Sequence, residues 1–171
     1  ASSYIKGKGF DETRAYWTEQ NGFDAANKII VNDAEFKNNV ASEYSGGAMG
    51  IYSDAIINNT TFSNNNAGGH NPSQSTDGGG AIYAGGWARI DKNDSDFDGN
   101  SSNRGGAIGT TAAGMSDDVH LKINNTNCIN NSATIGGGAI FNNFANAPTP
   151  SAVLFLNTVS LIVMDFIMLD V

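Results

Sequence analysis

The chain has 171 residues, 40% of them hydrophobic and 21 of them glycine, with 9 Lys plus Arg against 17 Asp plus Glu and a net charge of −8. That size and apolar content suffice for one buried core, and the glycine content with low charge density fits an all-β stack better than a helical bundle. The acidic balance excludes nucleic acid and anionic membrane as bulk electrostatic partners, and a single cysteine, Cys128, excludes an intrachain disulfide framework.

Residues 1–27 lack the pattern that fills the rest of the chain. Ala1-Ser2-Ser3 is compatible with a mature end left by signal cleavage, and a short helix is expected around Ala15 to Glu19. The segment reads as an N-terminal cap over open strand edges that would otherwise invite pairing.

From residue 28 to 171 one pattern is written five times. Its anchors are Phe36, Phe62, Phe97, Cys128 and Leu161, spaced 26, 35, 31 and 33 residues apart. Four residues before each anchor stands an Asn: Asn32, Asn58, Asn93, Asn124 and Asn157. Three residues after it stands a second, at Asn39, Asn65, Asn100 and Asn131, with Met164 in the fifth copy. Between copies runs Gly-Gly-Ala-Ile or Met, at Gly46 to Met49, Gly79 to Ile82, Gly105 to Ile108 and Gly137 to Ile140. Units of variable length around a fixed core are the mark of a solenoid.

Seven and five residues before the anchors stand Ile29 and Val31, Ala55 and Ile57, Ile90 and Lys92, Leu121 and Ile123, and Leu154 and Leu156. This alternation predicts a short strand with an apolar inner face, Lys92 being the one exception. Gly-Gly-Ala-Ile predicts a second strand entered through a tight corner. Such strands pair in parallel with their equivalents one unit later, about 4.8 Å away. Asn then stacks on Asn, and an amide that both donates and accepts can bond along the row. Both Asn sets are therefore expected as ladders, with the five anchors pointing inward. Cys128, at an anchor, reads as a small buried hydrophobe and not as a reactive thiol. Connections near 66–77, 109–118 and 142–151, rich in Gly, Asn, Ser, Thr or Pro, are expected to project from the stack.

Residues 152–171 form an apolar terminal coil in which Ile162, Val163, Met164, Phe166, Ile167 and Met168 stand where earlier units carry polar residues. A membrane span needs about twenty apolar residues. Asn157, Thr158, Ser160 and Asp165 interrupt this run, so no transmembrane span is expected. The coil calls for an apolar partner: further coils, a cap, or another copy of the chain.

Candidate chemistry is sparse. Asp94, Asp96 and Asp98 spell Asp-x-Asp-x-Asp-Gly, a calcium candidate, with Asp96 and Asp98 outward beside an inward Phe97. The Glu that an EF-hand loop needs eleven residues after Asp94 is replaced by Gly105. No cofactor besides that calcium is expected. Asp117-Asp118, Gly69-His70 and Arg89-Ile90-Asp91 resemble fragments of polygalacturonase motifs, but in the wrong order for paired-carboxylate hydrolysis. Neither His70 nor His120 has a second His or Cys at zinc-ligand spacing. No catalytic residue is therefore assigned. Asn58, Asn59, Asn93, Asn100, Asn124 and Asn130 fit the Asn-x-Ser/Thr acceptor pattern, which this composition generates freely.

The alternation of Gly-Gly-Ala-Ile with Phe-x-x-Asn, at Phe36 to Asn39, Phe62 to Asn65 and Phe97 to Asn100, resembles the repeat of polymorphic outer membrane proteins over residues 29 to about 144. Those are autotransporter passengers that act as adhesins. The resemblance implies a right-handed parallel β-helix on a cell surface. Cys128 in place of Phe and Met164 in place of Asn depart from it. Three functions follow: an extracellular, adhesin-like binding module for a cell-surface ligand, a structural subunit joining its own copies end to end into a filament, and, third, a polysaccharide-active β-helix enzyme.

Overall fold

The computed structural model describes residues 28–68, 78–85, 89–111, 120–143, 153–162 and 168–170, the last two stretches as backbone alone. The expected cap over residues 1–27, with its helix at Ala15 to Glu19, lies outside the described residues. All regular elements among those described are strands. In chain order they are β1 (Lys28–Asn32), β2 (Glu35–Lys37), β3 (Val40–Ala41) and β4 (Met49–Ile51); β5 (Asp54–Asn58), β6 (Thr61–Ser63), β7 (Asn66–Ala67) and β8 (Ile82–Gly85). Next come β9 (Arg89–Asp98), β10 (Ser101–Arg104) and β11 (Ile108–Thr111); β12 (His120–Ile129), β13 (Ser132–Gly136) and β14 (Ile140–Asn143); and β15 (Val153–Ile162) and β16 (Met168–Asp170).

Each strand pairs in parallel with its equivalent in the next repeat, giving three stacked sheets. One runs β1-β5-β9-β12-β15, with β2 and β6 beside it; a second runs β3-β7-β10-β13; a third runs β4-β8-β11-β14-β16. The register follows the repeat: Phe36 pairs with Phe62, Phe62 with Phe97, Phe97 with Cys128 and Cys128 with Leu161. A slip of one residue would turn every anchor outward, so the apolar alternation fixes the alignment. The architecture is a parallel β-solenoid.

Ala55, Ile57, Phe62, Ile82, Ile90, Phe97, Ile108, Leu121, Ile123, Cys128 and Ile140 meet in one buried cluster down the middle. Within it the Phe36 and Phe62 rings lie 5.0 Å apart at 5°, and Phe62 and Phe97 lie 4.9 Å apart at 18°. The rings stack because strand spacing alone sets their separation.

The Gly-Gly-Ala-Ile segments are mostly corner. Strands begin only at the fourth residue (Met49, Ile82, Ile108, Ile140), so the segment expected as a second strand contributes only its last position to one. The first glycine of each has positive φ, +78°, +72°, +64° and +68° at Gly46, Gly79, Gly105 and Gly137. A Cβ on the second, at Gly47, Gly80 or Gly106, would collide with the carbonyl oxygen of Gly80, Gly106 or Gly138 one turn along. Backbone conformation thus selects one glycine and close packing of turns selects the other.

Truncating the middle ring, Phe62→Ala, removes contacts on both faces of a fully buried side chain and should cost about 3–5 kcal/mol. Urea denaturation followed by circular dichroism measures this. A loss under about 1 kcal/mol would mean that the rings are not stacked in the interior.

Candidate functional site

Two rows of asparagine run along the stack, and they differ in burial and in direction. In the first row Asn58 Nδ2 donates to Asn32 Oδ1 (2.8 Å), Asn93 Nδ2 to Asn58 Oδ1 (2.9 Å) and Asn124 Nδ2 to Asn93 Oδ1 (2.7 Å). Asn157 lies in register with Asn124. These amides are not inward: Asn32 is exposed and Asn58, Asn93 and Asn124 are half-buried. The reason is alternation along the strand: Ile57, Lys92 and Ile123 point inward, so the Asn after each faces out. Asp33, Asn59, Asp94 and Asn125 then have φ of 51°, 47°, 49° and 44°, a left-handed kink that swings the chain around a corner just there.

The second row is the interior one. Asn65 and Asn100 are fully buried and Asn131 nearly so. Asn39 Nδ2 donates to Asn65 Oδ1 (2.8 Å), Asn65 Nδ2 to Asn100 Oδ1 (2.9 Å) and Asn100 Nδ2 to Asn131 Oδ1 (2.9 Å), opposite in sense to the first row. Each oxygen also accepts the backbone N–H of the Asn one repeat earlier, at 3.1, 3.0 and 2.9 Å. The second amide hydrogen reaches back to an anchor carbonyl, from Asn65 to Phe36, Asn100 to Phe62 and Asn131 to Phe97, each at 3.0 Å. A fully buried amide with all its hydrogen-bonding capacity used avoids the desolvation cost of an unmade bond. The spacing Phe-x-x-Asn thereby acquires its cause: the ring packs inside while the Asn clamps the carbonyl of the ring below.

Left-handed residues precede this row as well, at Asn38, Asn64, Gly99 and Asn130. A third device went unread in the sequence. Thr60, Ser95 and Thr126 are buried, and their hydroxyls donate to the carbonyls of Asn58, Asn93 and Asn124 two residues back, at 2.8, 2.8 and 2.9 Å. The signal was present as Asn-x-Ser/Thr at a constant offset, and its use at these three positions is to close a corner. On the third sheet, buried Thr110 donates to Asn142 one repeat on.

Asp94, Asp96 and Asp98 do not form a metal cluster: among the described residues no three acidic, His or Cys groups converge on one point. Each carboxylate is exposed and accepts an amide N–H from the following repeat, from Asn125 (2.6 Å), Asn127 (2.8 Å) and Asn130 (3.1 Å). Successive side chains along a strand separate, whereas equivalent side chains of adjacent strands meet. Asp33 and Asn59 make the same rung, at 2.6 Å.

Of the anchors, Phe62, Phe97 and Cys128 are fully buried, Phe36 is half-buried, and Leu161 is placed by register alone. Lys92, the exception to the apolar alternation, is fully buried too. Its Nζ has no hydrogen-bond partner and sits 4.2 Å from the Phe97 ring centroid. Burial lowers its pKa from 10.5 to about 7, against the opposing influence of Cys128, Asp96 and Asp94. Burial raises the Cys128 thiol from 9.0 to about 11, with Lys92 opposing.

Ile162 and Met168 belong to β15 and β16, while Val163, Met164, Phe166 and Ile167, the rest of the expected assembly surface, lie outside the described residues. His70, Asp117 and Asp118 also lie outside them. Arg89, Asp91 and His120 lie on strands β9 and β12. No helix among the described residues is long and apolar enough to cross a membrane.

Residues 59–85 and 94–111 match the family model described as the Chlamydia polymorphic membrane protein repeat. These residues carry that repeat. They span Phe62 to Asn65, Gly79 to Ile82, Phe97 to Asn100 and Gly105 to Ile108, two rounds of the paired motif. In structural terms each of these two rounds is one stacked ring, one buried Asn clamp and one glycine corner. Searches of curated proteins and of solved structures give no match.

Asn100→Asp keeps the shape but cannot donate to Phe62 and Asn131, and should cost about 3 kcal/mol or more; Asn93→Asp in the half-buried row should cost about 1 kcal/mol or less. Urea titrations of the two variants compare the rows, and equal losses would contradict their assignment.

Lys92 makes stability pH-dependent. Its folded pKa is depressed, so the unfolded chain binds the proton more tightly and stability rises as pH increases from about 7 toward 10.5. Cys128, raised to about 11, acts oppositely only above its unfolded value of 9.0. Between pH 7 and 9 the chain should gain roughly 2 kcal/mol, and Lys92→Met should abolish the gain. Denaturation midpoints across that window test it.

Proposed function

We propose that the chain is a non-enzymatic display module on a cell surface, adhesin-like, of the kind the polymorphic membrane protein repeat builds. The match over residues 59–85 and 94–111 carries this reading. The spending of polar side chains supports it: buried amides and hydroxyls close corners and bind turn to turn, while the outer rungs of Asp and Asn hold a rigid polar surface. Right-handed winding through five coils, a cap formed by residues 1–27, and an extracellular ligand belong to the same proposal.

Beads coated with the folded chain should adhere to cultured epithelial cells well above albumin-coated beads, and pre-incubation with soluble chain should compete. Adhesion no stronger than albumin contradicts the reading, as does turnover of polygalacturonate by the purified chain, which would favour the enzyme.

A second reading, a subunit that joins its own copies end to end, has one observation in its favour. The inner residues of the first repeat, Ile29, Val31, Phe36, Ala48 and Met49, are only half-buried, whereas their equivalents further along are buried. Apolar solenoid ends favour heterologous contacts that do not close. Negative-stain imaging separates the two, with discrete rods for the display module and axial polymers for the subunit.

A further inference from the structure

Lys92 and Cys128 are two departures from the repeat, one repeat apart, and they meet in space. Phe36, Phe62 and Phe97 stack at 5.0 and 4.9 Å, and the residue in register above Phe97 is Cys128, with no ring to continue the column. One face of Phe97 is covered by Phe62 at a separation that leaves no room for an ammonium group. The Lys92 Nζ, 4.2 Å from the Phe97 centroid, therefore lies on the face turned toward Cys128, where a fourth ring would sit. In register, Lys92 itself lies between Ile57 and Ile123. A fully buried amine without an acceptor stands in for an aromatic ring at this single level.

The perimeter of the same interface is unusually polar. Among the described residues, Asp94–Asn125 and Asp96–Asn127 cross from β9 to β12 and Asp98–Asn130 joins the end of β9 to the residue just after β12, while Asp33–Asn59 is the corresponding rung between the first two repeats. The interface thus combines a buried amine at its centre with a hydrogen-bonded rim of acid–amide pairs. Solenoid stability is a sum of intrinsic and nearest-neighbour terms, so one interface weakened at its centre can open while its neighbours stay closed.

We propose that the β9–β12 interface is a built-in joint of the solenoid, held closed by its Asp–Asn rim and the Asn100–Asn131 clamp and predisposed to open by the amine that replaces a ring over Phe97. Opening there exposes Cys128, and the repeats on either side keep their own ring and amide stacking.

The test uses the 171-residue chain and an uncharged aromatic disulfide, 4,4′-dithiodipyridine, as the thiol probe. Cys128 should be labelled at urea concentrations where the far-ultraviolet circular dichroism is still native. Lys92→Met, similar in length and apolar, should slow native-state labelling by about tenfold or more, bringing it into line with global unfolding. Hydrogen exchange should show β9 and β12 amides opening together, less protected than those of β5 and β6. The joint is refuted by wild-type labelling that coincides with loss of the dichroism signal, by an unchanged rate in Lys92→Met, by uniform exchange protection, or by a Lys92→Met chain that fails to fold.

Discussion

The buried asparagine row is the constraint on which the rest of the structure depends. A parallel stack of very short strands has abundant corners, and each corner leaves backbone groups that no sheet ladder satisfies. Asn65, Asn100 and Asn131 take up those groups: each oxygen accepts two N–H groups, each NH2 donates to an anchor carbonyl, and those of Asn65 and Asn100 donate to the next amide in the row as well. Low dielectric makes such a network strong when complete and costly when broken. Ring stacking, glycine corners and the register of all three sheets are geometries compatible with that column, because each repeat must present its Asn directly over the last.

The same constraint fixes where the polar side chains of the described residues go. Apart from Lys92, the inward positions of the described strands are mostly apolar or amide, and hydroxyls such as Thr60, Ser95 and Thr126 turn back on the chain. Outward positions offer repetition in place of convergence: a given side chain meets its equivalent one strand away, as Asn127 meets Asp96 and Thr134 meets Asn103.

Much of this architecture was legible in the sequence because a solenoid writes its contacts as offsets. The anchors, both Asn sets and the parallel pairing of equivalents could be read from spacing alone. What the spacing did not give was the burial of the second row. Asn58, next on its strand after the inward Ile57, is half-buried, whereas Asn65, just past the left-handed Asn64, is fully buried. Asp94, Asp96 and Asp98 looked convergent along the strand, but the sheet pairs each across to a different Asn. Lys92 stood out as an exception in period two, and its burial became explicable only beside Cys128, another exception in a different repeat. Single-strand patterns carry no information about such compensation between turns.

The most direct test of the central claim is a double-mutant cycle on Asn65 and Asn100, each replaced by Leu singly and together, with stability measured in urea. If the two amides bond to one another in the interior, the cycle should give a coupling energy of about 1–3 kcal/mol, larger than that for Asn39 and Asn100 two repeats apart. Additive losses at Asn65 and Asn100 would mean that the buried row does not exist as a connected column, and the account of the repeat would fall with it.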